Sequence, residues 1–363
     1  MSNNKDFKVK NGIQPTVYHE GLGTVVSGSV GYSLANASYD SVSFSVAGQV
    51  SDPISFVFNN AGTKFFLLEA NGSVYQYSLS TAWDVSTASY DSVSFDPTTQ
   101  MTNPYALEFA NAGSKMYIQD YYGPVYEYTL STAYDLSTAS YSSNSYDPTE
   151  ISTQGYGVTF NPDGTKFYTI GASQDSVFQY TLSTAYNIST ASYDSKSLSV
   201  ASEDGTPYAI RFNDDGTSLF ILGQVNDTIF QYNLTTAYDI STASYASISF
   251  GVTTQEPSTT GMDISADGTK LYVVGLTNDT IYQYSTALNA NTLDLSTGSV
   301  FEITPTSDIQ IGLSNPADSG TVSQATLLLD GAVNGYDLSG AAYDSIDFSV
   351  ASQAGDPMDV LFN

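Results

Sequence analysis

NPDGTK, residues 161–166, decides the fold, because the chain writes a version of it five times. The others are NNAGTK ending at Lys64, ANAGSK at Lys115, NDDGTS at Ser218 and SADGTK at Lys270. Their glycines, Gly62, Gly113, Gly164, Gly216 and Gly268, stand 51, 51, 52 and 52 residues apart. Asp-Gly and Ala-Gly supply the positive φ that a short hairpin demands, so each turn marks one structural unit.

Working outward, each copy continues into an aromatic pair: Tyr75 and Tyr77, Tyr126 and Tyr128, Phe178 and Tyr180, Phe230 and Tyr232, Tyr282 and Tyr284. Most then run through a stretch close to LSTAYDLSTASYDSVSF. Period-2 alternation selects strands, four per unit, which we letter A to D. In the first unit A holds Ile54, Phe56 and Phe58, B runs from Lys64 to Leu68, C carries Tyr75, Tyr77 and Leu79, and D spans Tyr90 to Phe95 with Val93 and Phe95 inward. Four-stranded units of this length arranged radially make a β-propeller, and 29 tyrosines and 18 phenylalanines suit the layers between blades.

Strand D occurs six times, at Tyr39, Tyr90, Tyr141, Tyr193, Tyr245 and Tyr343, although only five copies carry B and C. The sequence therefore predicts an all-β propeller of about six blades. The last is a composite: A from Met358 to Phe362, B and C from Thr16 to Ser27, and D from Tyr39 to Val46. Two alternatives stay open, pairing of the final half-repeat with another subunit and membership of a longer array. Tyr284 to Tyr336 spans 52 residues where Tyr128 to Tyr134 spans 6, so about 46 residues (52 − 6) are inserted. Strands are expected there near Val300–Thr304, Ile309–Leu313 and Val322–Leu329. The expected organisation is an attachment segment at 1–14, propeller repeats at 15–284, an inserted β-module at 285–332 and a half-repeat at 333–363 completing the propeller.

The charge balance, 37 acidic against 9 basic residues for a net −28, argues against nucleic acid and anionic membranes as partners. Lys64, Lys115, Lys166 and Lys270 share one repeat position and read as partners for turn acids. The chain lacks cysteine, which excludes disulfides and thiol chemistry. MSNNKDFKVKNG has no apolar core of a secretory signal, and no apolar run is long enough for a membrane helix, so synthesis in a cytoplasm without export by a cleaved signal is expected.

Enzyme readings fare badly on inventory, and no catalytic residue, metal or cofactor is assigned. His19 is the only histidine and Arg211 the only arginine, which disfavours a His-based triad, a multi-histidine metal site and an arginine clamp on a substrate carboxylate. The many acids show no spacing that marks a glycosidase pair, and Asp163, Asp214, Asp215 and Asp267 are turn residues. Glu203 with Asp204, Asn226 with Asp227 and Asn278 with Asp279 are the acidic loop pairs that could offer oxygens to Ca²⁺, without a recognised calcium-loop pattern.

Within the chain the A-to-B turns and C-to-D links are nearly constant, while the B-to-C and D-to-A loops vary. In an up-and-down blade the two variable sets emerge on one face, where a rigid scaffold carries recognition. Asp120, Tyr121, Tyr122, Glu203, Asp204, Gln224 and Asn278 are the candidate binding residues on that face. The inserted module is expected on the opposite side, and Lys5, Phe7, Lys8 and Lys10 belong to the candidate attachment segment.

The repeat, with NPDGTK turns and strands such as DSVFQYTLSTAYNISTASYDS, resembles propeller-like repeats of marine bacterial and phage proteins. LDLSTG, FEITPT and SNPADSGT resemble a small β-module of tail fibres in marine phages, especially cyanophages, and FKVKNGIQPTVYHEGLGT resembles the N-terminal attachment segment of such virion proteins. The resemblance implies a non-enzymatic virion protein of a tail or fibre, assembled in the host cytoplasm. Its implied partners are other virion proteins, further copies of itself, and a glycan or protein of the host surface. A bacterial surface or secreted propeller binding carbohydrate or protein is the alternative.

Overall fold

The computed structural model describes residues 32–287 except 71 and 152, together with short strands at 25–26, 290–294, 300–303, 310–314 and 326–329. Strands are numbered along the chain from β1 (Val25–Val26) and β2 (Ser33–Ser45). Blade one is β3 (Pro53–Phe58), β4 (Lys64–Glu69), β5 (Val74–Leu79) and β6 (Ala88–Phe95). Blade two is β7 (Pro104–Ala110), β8 (Lys115–Asp120), β9 (Val125–Leu130) and β10 (Ala139–Tyr146); blade three is β11 (Gly155–Phe160), β12 (Lys166–Gly171), β13 (Ser176–Leu182) and β14 (Ala191–Ser199). Blade four is β15 (Pro207–Phe212), β16 (Ser218–Gly223), β17 (Thr228–Leu234) and β18 (Ala243–Gly251). Blade five combines β19 (Thr259–Ile264), β20 (Lys270–Gly275) and β21 (Thr280–Ala287) with β2 as its outermost strand. All five sheets are antiparallel, and their innermost strands neighbour one another in a closed ring from β3 through β7, β11, β15 and β19 back to β3.

The fold class is therefore the one read from the repeats, with five blades in place of about six. Tyr39–Val46 does not open a sixth blade: Tyr39 stands opposite Tyr284, and Ser45 opposite Thr280, in blade five. The last blade is composite, but it joins an N-terminal strand to the A, B and C strands of the fifth repeat. Val25 and Val26, expected among the B and C strands of the closing blade, pair with Leu293 and Thr292 instead. Counting D strands gave six because the chain carries one more D than it has B–C pairs. The candidate strand at Met358–Phe362, the strand at Tyr343, residues 1–14 and residues 333–363 lie outside the described residues.

Each turn glycine serves two purposes. Gly164 has φ +69°, and the ring of Tyr186 lies so close over it that a Cβ would overlap the ring. Trp83 covers Gly62 in the same way, Tyr134 covers Gly113, Tyr238 covers Gly216 and, from the N-terminal segment, Tyr32 covers Gly268. These aromatics begin the C-to-D link, which explains its constancy. In blades one to four the residue that follows, Asp84, Asp135, Asn187 or Asp239, caps a short 3-10 turn, as Asp84 does by accepting from Ser86 N at 3.0 Å.

Strict alternation along strand D misses a bulge. In blade one the register slips so that Tyr77 faces Tyr90 and Gln76 faces Val93, with Ser92 at φ +57° between them. Ser41, Ser143, Ser195 and Ser247 repeat the left-handed conformation. The bulge aims Asp91 across strands C and B, where it accepts from Gln76 Nε2 (2.8 Å) and Ser78 Oγ (2.8 Å) of C and from Lys64 Nζ (3.0 Å) of B. Asp194 meets Lys166 at 3.3 Å and Asp40 meets Lys270 at 2.7 Å in the same position. The repeat lysines thus pair with bulge acids, and not with the turn acids expected from sequence. Where the acid is Ser142 the lysine, Lys115, turns to Glu127; where it is Ala246 the lysine is replaced by Ser218.

The polar residue between the two strand-C aromatics ties each blade to the next. Gln76 accepts from Leu136 N (3.0 Å), Glu127 from Ile188 N (3.1 Å) and Gln179 from Ile240 N (3.0 Å). Gln231 accepts from Leu34 N (3.2 Å), and Gln283 from Val85 N (3.2 Å) closes the circuit. Each such bond contributes about 0.5–1.5 kcal/mol, and aromatic pairs such as Phe58 with Tyr272 (centroids 4.6 Å) add a similar amount across the seams.

A second compact unit comprises residues 1–28 and 290–363. In it β1 lies antiparallel to β22 (Ala290–Asp294), which runs parallel to β24 (Gln310–Ser314), while β23 (Val300–Ile303) runs parallel to β25 (Thr326–Leu329). Three of these coincide with the strands expected from sequence.

Candidate functional site

The B-to-C and D-to-A loops meet at one end of every blade. Ala70 N donates to Asp52 O (3.0 Å), Tyr121 N to Asn103 O (2.7 Å), Ala172 N to Gln154 O (2.9 Å), Gln224 N to Thr206 O (3.0 Å) and Leu276 N to Ser258 O (3.0 Å). The A-to-B turns and C-to-D links meet at the other end, as in Tyr134 N to Gly113 O at 3.0 Å. The variable loops therefore share one face.

Acids that sequence reasoning offered for binding turn out to hold these loops together. Asp120, at the end of β8, is buried and accepts from Thr102 N (3.2 Å), Asn103 N (3.1 Å) and Tyr122 N (2.9 Å). Glu69 plays this part in blade one, accepting from Ser51 N at 3.0 Å. In blades four and five the strand end is glycine, Gly223 or Gly275, and the acid arrives from the opposite loop over it. Asp204 accepts from Thr206 N (2.8 Å) and Asn226 N (3.2 Å), and Glu256 from Thr277 N (3.0 Å). Val50 and Met101 are the buried loop residues where the strand end is acidic. This reciprocity between two repeat positions, which holds in four blades and fails in blade three where Gly171 faces Ile151, is the sequence signal that could have identified the anchors. Glu203 is likewise engaged, accepting from Tyr232 Oη at 2.9 Å. Asn226 donates to Asp204, and Asp227 accepts from Thr259 N at 3.0 Å. Among the described residues no three His, Cys, Asp or Glu side chains gather where they could hold a metal ion.

The remaining candidates are available for contact. Tyr122 is exposed, 56%, and stands edge-on to half-buried Tyr121 at 5.2 Å. Tyr121 packs on Tyr105 (5.3 Å) and Tyr156 (5.9 Å), and Tyr156 on Tyr105 (4.9 Å) and Tyr208 (4.2 Å). Tyr105, Tyr156 and Tyr208 are the second residues of three successive innermost strands, so the cluster crosses blades two, three and four beside the axis. Burial and the neighbouring Tyr208 push the Tyr156 hydroxyl well above the usual tyrosine range, so it stays neutral. Asn278 is exposed and donates to Gln255 O at 2.8 Å. Val225 and Leu276, not singled out from sequence, are exposed on the same face at 64% and 39%.

Below the tyrosines, side chains of all five innermost strands surround a space of about 10 Å³, room for roughly one water. One register of the ring reads Val57, Glu108, Thr159, Arg211 and Asp263. Arg211 Nε donates to Asp263 Oδ1 at 2.7 Å, and Asp263 Oδ2 accepts from Phe58 N across the seam between blades five and one. Arg211 Nη1 lies 3.0 Å from Glu108 Oε2, but out of line for a hydrogen bond. With the guanidinium committed to Asp263, burial dominates and pushes Glu108 up to about 7. Every described basic side chain, Lys64, Lys115, Lys166, Lys196, Arg211 and Lys270, has an acidic partner. Lys5, Phe7, Lys8, Lys10 and His19 lie outside the described residues.

No family model matches the chain, and no curated protein matches it. Solved structures with a similar arrangement include a candidate 6-phosphogluconolactonase from Bacteroides uniformis, at 15% identity and TM-score 0.39, covering 65% of this chain and 69% of that one. Another is the β-propeller domain of Cps50 (Swd1) from Myceliophteria thermophila, at 12% identity and TM-score 0.43, covering 68% of this chain and 100% of that one.

Proposed function

We propose that the protein is a non-catalytic virion component, part of a tail or fibre, whose propeller presents the face of its variable loops to a partner on the host surface or within the particle. One observation carries the recognition half of this reading. The exposed large apolar side chains among the described residues, Tyr122, Val225 and Leu276, all stand on B-to-C loops, from three different blades of one face. Apolar exposure gathered on one face of a rigid scaffold marks an interaction surface. Glu69, Asp120, Asp204, Asp227 and Glu256 of that face are occupied in holding loop amides, which favours binding over acid–base chemistry at them. The virion half rests on the resemblance of the repeat, the C-terminal module and the N-terminal segment.

The two halves separate in one experiment. Mass spectrometry and imaging of purified particles should find the chain in the virion. A triple variant, Tyr122→Ser, Val225→Ser and Leu276→Ser, should keep the circular dichroism of the parent yet lose adsorption or assembly. Adsorption and assembly both unchanged would overturn the loop-face reading. Absence of the chain from particles would overturn the virion reading and leave a bacterial surface or secreted propeller.

A further inference from the structure

Blade two carries an aromatic B-to-C loop and the other four blades do not. It reads DYYGP over residues 120–124, where the others read EANGS, GASQDS, GQVNDT and GLTNDT. Its backbone is tied down on both sides of the tyrosines. Tyr121 N donates to Asn103 O (2.7 Å), and Tyr121 O accepts from Gly155 N of blade three (3.0 Å). Tyr122 N donates to Asp120 Oδ1 (2.9 Å) and Gly123 N to Asp120 O (2.9 Å), while Gly123 takes φ +112°, a conformation that favours glycine. The two rings stand at 86° to one another and make a right-angled corner, one ring half-buried and the other open to solvent.

The innermost strands back this corner. In all five the register slips at the second residue, which takes Ile54, Tyr105, Tyr156, Tyr208 and Thr260 out of the ladder. Ile54 and Thr260 are buried, whereas the three tyrosines run on from Tyr121, with Tyr105 and Tyr156 stacked at 22°. Tyr122 is held on a loop with this backing and these bonds, so its ring stays in water, an exposure that folding alone does not require.

Size and charge narrow what the corner can hold. Two tyrosines bury about 150–250 Å² each at most, well short of the roughly 800 Å² per partner of a stable protein interface. Every described basic side chain is already paired with an acid and the chain carries a net −28, so a carboxylate, sulfate or phosphate finds no free cation among the described residues. A neutral sugar satisfies both limits. A pyranose turns slightly positive C–H bonds toward the electron-rich face of a ring, and its hydroxyls bond to phenol hydroxyls and loop carbonyls.

We propose that the Tyr121–Tyr122 corner is a subsite that stacks one sugar unit of a neutral glycan, an inference that rests on the loop face being the contact surface. The fixed loop presents the rings already in place, so little ordering opposes binding.

The test is native gel electrophoresis of the full-length chain through gels containing dextran, mannan, laminarin or arabinogalactan, with alginate as the anionic comparison. We expect at least one neutral polysaccharide to retard the parent. Tyr122→Ala should keep the parent's circular dichroism, since the side chain is exposed, and weaken the retardation by roughly tenfold or more. Tyr122→Phe, which keeps the ring face, should retain most of it. Retardation by alginate alone, by no polysaccharide, or equally in the parent and Tyr122→Ala overturns the proposal. The two readings fail separately. If no polysaccharide retards the parent while the Tyr122, Val225 and Leu276 triple variant still loses adsorption or assembly, the loop face stands and the sugar subsite falls. If that variant keeps both while Tyr122-dependent retardation is seen, the sugar subsite stands and its part in the particle falls.

Discussion

Replacing Gly62 with alanine should damage the propeller at a place where the damage can be watched. Gly62 sits at φ +66°, a conformation that costs an L-residue about 1–2 kcal/mol. A Cβ there would also overlap the indole of Trp83, which is wedged against Phe58 at 5.1 Å and so cannot simply swing away. Overpacking of this kind costs a further 1–3 kcal/mol or so, giving about 2–5 kcal/mol in total. For a body of this size that is a fall in Tm of roughly 2–4 °C per kcal/mol. Trp83 is the sole tryptophan, so its emission reports the displaced ring directly. Gly48→Ala is the control: it has no positive φ and nothing within 4 Å of the new methyl, and should change stability by less than about 0.5 kcal/mol. If Gly62→Ala matched Gly48→Ala in Tm and left the emission unaltered, the claim that the turn glycines are selected by the ring above them would be refuted.

Three further outcomes are expected. Glu108 is pushed up to about 7 in the folded protein, so the fold binds a proton that the unfolded chain has released; its contribution to stability is present below about pH 4.5 and lost as pH rises through 7, and Glu108→Gln should flatten that part of the Tm-versus-pH curve. Burial raises the bulge acids Asp40, Asp91 and Asp194, but hydrogen bonds from serine or threonine, glutamine and lysine outweigh it and hold them below 3.8; their stabilisation is present above that pH and lost as pH falls through their folded values, so Asp91→Asn should weaken acid sensitivity in a melting series. Gln231→Ala leaves Leu34 N without its partner, about 1–3 kcal/mol, and hydrogen exchange should speed up across residues 32–46 before it does elsewhere.

Much of the architecture was legible because the repeat is written in residue types with one physical job each. Glycine at the turn, alternating aromatics on strand C and apolar innermost strands gave the four-stranded unit and, with it, the face on which variable loops gather. The blade number was not legible. Tyr39 and Tyr343 look equally like strand D, and only the fit of five innermost strands around an axis decides how many blades close. The bulge was hidden because Asp91 and Ser92 interrupt the alternation without breaking it: Val93 and Phe95 still face inward as expected. At the candidate site, exposure and anchoring could not be told apart from one position at a time. Asp120, the last residue of β8, and Tyr122 in the loop after it sit two residues apart, yet one is buried holding amides and the other stands in solvent.

The way blade five is sealed also determines how the body responds to a pull. Ser33 and Ala287 stand opposite one another in an antiparallel pair, so the chain enters and leaves the propeller at the same corner. Tension applied through the two exits would load that corner alone and peel the ladder rung by rung, breaking bonds singly rather than shearing them together. A body threaded in this manner should open from that corner, one pair of strand residues at a time, and close again by the same route.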